Sequence, residues 1–167
     1  QAIEEVCKVV PRIKWPNDLL VDGRKIAGIL LEATRLPDGR GAVAIGIGIN
    51  CKHGPAATET PATSLLAVGC GVFPEILFED LREALADVVA VWDGGCGFAE
   101  VRAEWLASAG GIGGPIRVRL VNGEETGTFE AIDTDGRLLL RLTDGRLKAI
   151  SAGDVFFPAG GGESGVN

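Results

Sequence analysis

Three apolar runs, separated by tight-turn signals, dominate the first third of this 167-residue chain. Residues 19–21 and 25–33 (KIAGILLEA) flank Asp22-Gly23, a dipeptide that favours a two-residue hairpin turn. A third run, at 42–49 (AVAIGIGI), follows the loop signal Pro37-Asp38-Gly39. Because each run is short and the connections are tight, the pattern predicts strands in an antiparallel meander.

Helical spacing of apolar residues predicts helices at 1–10, 63–69, 74–92 and 98–107. Pro11 is expected to end the first helix, and Pro74 suits the first turn of the third. Thr63 and Ser64 are expected to cap the short helix. The apolar faces of the two long helices are expected to pack into a core.

The composition changes at residues 110–115 (GGIGGP), which are typical of a linker. Beyond it, short alternating apolar segments recur between turn signals, at 116–121, 126–132, 137–142, 147–151 and 155–157. Five short strands on tight turns predict a small barrel of the SH3 type. The expected fold is therefore α+β, with a mixed or antiparallel sheet and packed helices in residues 1–111, a barrel in 112–158 and a disordered tail at 159–167. On the first barrel strand, Arg117 and Arg119 are expected to lie on a solvated face.

Charge and cysteine spacing exclude several classes of function. The chain has 16 basic and 23 acidic residues, a net charge of −7, which argues against DNA or an anionic membrane as its main partner. No apolar run reaches the length of a membrane span. The four cysteines are far apart, so free thiols are expected, and no metal site is predicted.

Two lysines are the strongest candidates for a binding site. Lys14 and Lys25 lie near the ends of neighbouring predicted strands, where their ammonium groups could converge on a phosphate or carboxylate. Between them, Asn17 and Asp18 follow a proline and could orient a polar ligand. Gly28 interrupts its strand, which often marks close approach by a ligand.

The third strand adds a second group of candidates. Gly46 lacks a side chain in mid-strand, and Asn50 ends the strand with an amide that can read a purine edge. Ile49 lies between them. The same residues also fit a glycine-dotted sheet that carries surface lysines, and the residues alone leave both interpretations open.

Three blocks of sequence in fixed order carry a resemblance to a known family. They are KWPNDLLVDGRKIAGILLE (14–32), AVAIGIGIN (42–50) and TPATSL (60–65). Together they closely resemble the catalytic core of biotin–protein ligases, also called biotin–[acetyl-CoA-carboxylase] ligases. The resemblance covers nearly all of residues 1–158. It implies a fold like that of class II aminoacyl-tRNA synthetases, followed by an SH3-like module.

The resemblance implies a two-step reaction in which biotin and ATP form biotinyl-5′-AMP, and biotin then passes to a lysine of a biotin carboxyl carrier domain. It places Lys14 at the reacting phosphate and carboxylate, Lys25 near the acyl end of biotin, and Gly28 in the biotin pocket. Asp18 and its neighbour Asn17 become active-site groups. The resemblance also places Gly46, Ile49 and Asn50 on the side of the site that binds adenine. Mg²⁺ would accompany ATP, without an identified protein ligand.

One family element is absent from the sequence. Biotin–protein ligases carry an arginine–glycine loop upstream of the KWPND block, and this chain, which contains no Met, has no such loop. We therefore expect a piece of a longer cytoplasmic enzyme that alone binds biotin weakly. The sequence does not decide whether the protein forms a homodimer.

Two other interpretations remain open at this stage. One is a non-catalytic remnant that docks a carrier domain. The other is a lipoate- or octanoate-type ligase, although Trp15, Pro16 and Ala27 favour biotin over that class.

Overall fold

Two antiparallel sheets and three α-helices make up the described part of the chain. The computed structural model describes residues 1–56 and 58–158. In chain order the elements are α1 (Ala2–Cys7), β1 (Arg12–Lys14), β2 (Asp18–Val21), β3 (Arg24–Arg35), β4 (Gly41–Ile49), α2 (Pro74–Trp92), α3 (Phe98–Ser108), β5 (Pro115–Leu120), β6 (Gly123–Ile132), β7 (Leu138–Arg141), β8 (Leu147–Ile150) and β9 (Asp154–Phe156). This arrangement confirms the predicted α+β class. The tail predicted at 159–167 lies outside the described residues.

The first sheet contains the predicted three-strand meander as β2, β3 and β4, and the short strand β1 extends it at one edge. The strand order is β1-β2-β3-β4, and every pair is antiparallel. Asp22 and Gly23 connect β2 to β3, and both have positive φ angles, 48° and 70°. Positive φ at both central residues is what a type I′ hairpin turn requires, and Asp-Gly supplies it at low cost. The turn fixes which residues of β2 and β3 face one another.

The second sheet contains all five predicted strands, in the order β8-β7-β6-β5-β9. The predicted alternation is confirmed, because Ile116 and Val118 are buried on β5, as are Leu138 and Leu140 on β7. These side chains pack around Phe129, which is fully buried. The SH3-like character of this sheet and the domain boundary near residue 112 stay predictions.

The helices differ from the expectation in length and burial. α1 ends at Cys7 because Lys8 takes a left-handed conformation, φ 55°, well before Pro11. α2 has the predicted bounds, but Leu77 is its only buried residue, and no residue of α3 is fully buried. The prediction that the apolar face of α2 packs into a core is therefore wrong for most of this helix. Within the described part of the chain, apolar side chains of α2 such as Phe78 and Trp92 remain exposed.

The cysteines also depart from the expectation of four free thiols. α1 packs beside α2 and near Cys70, so that the Cα atoms of Cys7 and Cys70 are 5.3 Å apart and their sulfur atoms form a disulfide. Cys51 and Cys96 are free. Both disulfide residues belong to or border the core around Ile26 and Leu65.

None of the helices in residues 1–56 and 58–158 combines the length and apolarity needed to cross a lipid bilayer.

The disulfide predicts a redox-dependent stability. It joins residues 63 positions apart, and a loop of that size should stabilise the folded state by about 2–4 kcal/mol. Reduction should lower the free energy of unfolding by that amount, as measured by denaturant unfolding with and without reductant. Cys51→Ser and Cys96→Ser variants should leave this difference unchanged. Alkylation of four thiols in the unreduced native protein would contradict the assignment.

Candidate active site

Two lysines and one carboxylate meet where β1, β2 and β3 lie side by side. The Asp18 carboxylate accepts from Lys14 Nζ through Oδ2 at 3.0 Å and from Lys25 Nζ through Oδ1 at 2.5 Å. Lys14 is only 7% exposed, whereas the Lys25 side chain is 40% exposed. The predicted convergence of the two lysines is therefore present, and Asp18 is the group on which they converge.

A bulge in β3 allows this convergence. Asp18 lies opposite Gly28 and Leu19 opposite Ala27, but Leu20 lies opposite Lys25, so Ile26 is the extra residue. In a regular strand, Lys25 and Gly28 would point to opposite faces because they are three positions apart. The extra residue returns the Lys25 side chain to the face that carries Asp18 and Gly28.

Gly28 provides the space that the charged groups occupy. A Cβ atom built there would lie 3.2 Å from Lys25 Nζ and 3.3 Å from Asp18 Oδ1. Gly48, its partner on β4, is less crowded, because a Cβ there would be 4.0 Å from its nearest neighbour, the Gly28 carbonyl oxygen. A side chain at position 28 would therefore crowd the ion pair between Lys25 and Asp18.

An open cavity of about 720 Å³ lies over this part of the sheet. Its wall includes seven of the eight residues predicted from the sequence: Asn17, Asp18, Lys25, Gly28, Gly46, Ile49 and Asn50. Lys14 contacts Asp18 but is not part of the wall. The cavity is large enough for a small organic ligand.

The two asparagines hold the backbone around the cavity. Asn17 Nδ2 donates to the carbonyl oxygen of Ile29. Asn50 Nδ2 donates to the carbonyl oxygens of Lys25, at 3.3 Å, and Thr63, at 2.9 Å. These bonds give both amides a structural role in addition to the ligand contacts predicted for them.

Threonines of the loop after β4 belong to the site, and sequence reasoning missed them. Lys14 Nζ donates to Thr60 Oγ1 at 3.4 Å, and Thr58 lines the cavity. Thr60 begins the TPATSL block, to which the sequence analysis assigned no ligand contact, and Thr58 lies outside all three blocks. The helix predicted at 63–69 is only a short turn, Leu66–Val68, whose N-cap is Leu65. The Ser64 hydroxyl, one residue earlier, accepts from the Ala67 N–H at 3.2 Å, so Ser64 makes a capping-like hydrogen bond without occupying the N-cap. The Thr63 hydroxyl is buried and has no hydrogen-bond partner in the described structure.

Trp15 connects the site to the second sheet. Its side chain is 3% exposed and belongs to the core around Phe129. Its indole N–H donates to the Gly136 carbonyl oxygen at 3.1 Å, in the turn between β6 and β7. Trp15 is therefore a packing residue that does not line the cavity, and its anchor is the second sheet.

The described residues contain no group of three or more His, Cys, Asp or Glu side chains placed to hold a metal ion. His53 is exposed in the loop after β4. The charge that this site offers a ligand therefore comes from the ammonium groups and from Asp18.

Comparison with known proteins identifies relatives of both halves of the chain. Residues 3–50 match the biotin/lipoate A/B protein ligase family, and residues 111–157 match the biotin protein ligase C-terminal domain. A biotin–[acetyl-CoA-carboxylase] ligase of Paracoccus denitrificans is 44% identical over 151 residues, which cover 87% of this chain and 62% of that protein. A bifunctional ligase/repressor of Bacillus subtilis is 36% identical over 91% of this chain and 48% of its own length.

Solved structures show the same fold. The apo biotin protein ligase of Aquifex aeolicus superposes with a TM-score of 0.78 at 21% identity, covering 93% of this chain and 69% of that one. The same enzyme in complex with biotin and ATP gives a TM-score of 0.72 at 23% identity, covering 93% of this chain and 65% of that one. The chain thus spans about half to two thirds of the relatives that it matches.

Asp18 is expected to be required for stability as well as for the site. Asp18→Asn would leave the buried Lys14 ammonium without a counter-charge, and the free energy of unfolding should fall by about 2–4 kcal/mol. Denaturant unfolding measures this change. The control is Asp38→Asn, which breaks the pair between Asp38 and Arg40, where both side chains are exposed. Equal effects of the two variants would contradict the assigned role of Asp18.

Proposed function

Residues 3–50 match the biotin/lipoate A/B protein ligase family and residues 111–157 the biotin protein ligase C-terminal domain, and from that premise we propose that the protein serves the ATP-dependent attachment of biotin to a lysine of a carrier domain. The observation that carries the proposal is the convergence of Lys14 and Lys25 on Asp18, beside a cavity of about 720 Å³. A carboxylic acid and a nucleotide both bring negative charge to such a site.

In the first step, a carboxylate oxygen of biotin attacks the α-phosphorus of ATP. The bond from that phosphorus to the bridging oxygen breaks, pyrophosphate leaves, and biotinyl-5′-AMP forms. The ammonium groups of Lys14 and Lys25 stabilise the negative charge on the phosphoryl oxygens. Asp18 neutralises both lysines in the free chain, and we propose that the anionic substrates replace it as their partner.

In the second step, the neutral amine of the carrier lysine attacks the acyl carbon. The bond from that carbon to the phosphate oxygen breaks, AMP leaves with the electron pair, and the new ammonium loses a proton to solvent. The chain contributes positioning and charge stabilisation, with no covalent enzyme intermediate. The carrier is a biotin carboxyl carrier domain, and the reaction takes place in the cytoplasm, where ATP is abundant.

We propose that biotin and ATP occupy different parts of the cavity. Lys25 and Gly28 face the acyl end of biotin, and the β4 side, with Gly46, Ile49 and Asn50, receives the adenine. Mg²⁺ enters with the phosphates of ATP, in keeping with its preference for substrate oxygens over a dedicated protein cage. Trp15-Pro16 before Asn17, and Ala27 before Gly28, favour biotin over lipoate.

Loss of Lys14 should impair adenylate formation. In the protein at its native full length, Lys14→Gln is expected to slow formation of biotinyl-5′-AMP by about 100-fold or more, because one stabilising donor is removed. The assay follows transfer of label from α-labelled ATP. Lys148→Gln is the matched control, since Lys148 pairs with Glu125 on the second sheet. Equal rates in the two variants would exclude Lys14 from the chemistry.

Space at Gly28 should control biotin affinity. Gly28→Ala would displace Lys25 and Asp18, so the dissociation constant for biotin should rise about tenfold or more. Isothermal titration calorimetry measures it. Gly41→Ala, at the start of β4 and outside the cavity wall, where an added Cβ meets nothing within 4 Å, should bind as the parent does. Unchanged affinity in Gly28→Ala would place the acyl group elsewhere.

A further inference from the structure

A bidentate ion pair joins the second sheet to the loop beside the site. Arg119 on β5 donates from Nη1 to Glu59 Oε1 at 2.6 Å and from Nη2 to Glu59 Oε2 at 2.8 Å. Nη2 also donates to Asp154 Oδ2, on β9, at 3.0 Å. The partners are 60 positions apart in the sequence, so the pair is a tertiary contact between two parts of the fold.

Glu59 lies between the two threonines that reach the site. Thr58 lines the cavity, and the Thr60 hydroxyl accepts from Lys14 Nζ at 3.4 Å. The Thr58 hydroxyl also donates to the Thr60 carbonyl oxygen at 2.6 Å, which makes the segment a local turn. A restraint on Glu59 therefore acts on both neighbours.

We propose that Arg119 is a positioning residue, which holds the 58–60 turn against the site through Glu59. The consequence for catalysis rests on the proposed function. The restraint on the loop is a property of the fold and does not depend on the proposed function.

The guanidinium of Arg119 is itself well fixed. Asp154 binds it from β9, and its central carbon lies 5.0 Å from the centre of the Phe156 ring. Hydrogen bonds from Arg119 lower the pKa of Glu59 below its ordinary value, so the carboxylate is charged at neutral pH. The restraint is present above the ordinary pKa of glutamate and is lost as the pH falls through the lowered value.

Arg117 provides a matched comparison two positions earlier on the same strand. Its guanidinium lies 4.5 Å from the centre of the same Phe156 ring and pairs with Glu124 on β6. Its exposure, 44%, is close to the 41% of Arg119. Both arginines lie on the solvated face that the sequence predicts. They differ in their partners, because Arg119 pairs with Glu59 of the loop, whereas Arg117 pairs with Glu124 within its own sheet.

Amide hydrogen exchange on the native chain tests the restraint. Arg119→Gln should speed exchange in peptides that cover residues 58–63 by about two- to fivefold, the range expected for loss of a partly exposed ion pair. Glu59→Gln should do the same, and the double variant should match either single variant. Arg117→Gln should exchange at the parental rate.

Two outcomes would overturn the proposal: parental exchange in Arg119→Gln, or equal acceleration in Arg117→Gln. Denaturant midpoints that agree between the Arg119 and Arg117 variants exclude global loss of stability as the cause. Arg119→Lys, which keeps one charge and one bond, should restore part of the protection.

Steady-state kinetics of the ligase reaction provide a second test of Arg119. Arg119→Gln should raise the KM for ATP about two- to fivefold with a smaller change in kcat, whereas Arg117→Gln should change neither. An unchanged KM with faster loop exchange would overturn the catalytic consequence and leave the restraint standing. Absence of ligase activity in the parent would count against the proposed function and not against the exchange result.

Discussion

One carboxylate shared by two ammonium groups is the interaction on which the site depends. Lys14 is buried, and a buried ammonium is costly unless an opposite charge lies beside it. Asp18 supplies that charge from the next strand and binds Lys25 with its other oxygen. The hairpin turn, the bulge at Ile26 and the missing side chain at Gly28 all serve to bring these three groups together.

The second sheet supports this group from two directions. Trp15, next to Lys14 in the sequence, is buried in the core of that sheet and donates to the Gly136 carbonyl oxygen. Arg119 binds the loop whose Thr60 accepts from Lys14. A residue that lines no cavity can therefore still set the geometry of the site. Trp15 and Arg119 thus connect the two sheets on either side of Lys14, and we infer that the C-terminal sheet contributes to positioning this lysine.

Strand positions and most of the site could be predicted from the sequence, because both depend on local patterns. Asp22-Gly23 marks the hairpin turn, and the order of charged residues around it places Lys14, Asp18 and Lys25 near one another. The bulge at Ile26 has no sequence signal, since it depends on pairing between strands. The disulfide and the contact of Thr60 with Lys14 join residues 63 and 46 positions apart, and local pattern carries no information about such contacts. The exposure of α2 could not be predicted either, because helical periodicity shows which face is apolar but not what covers it.

We propose that the anionic reacting groups bind where Asp18 now holds the two lysines. A crystal structure of the protein with a non-hydrolysable analogue of biotinyl-5′-AMP would show where these groups bind. The phosphate-like group should lie within hydrogen-bond distance of Lys14 and Lys25, with adenine along β4. An analogue bound elsewhere, with both lysines still paired to Asp18, would contradict this role of the lysines.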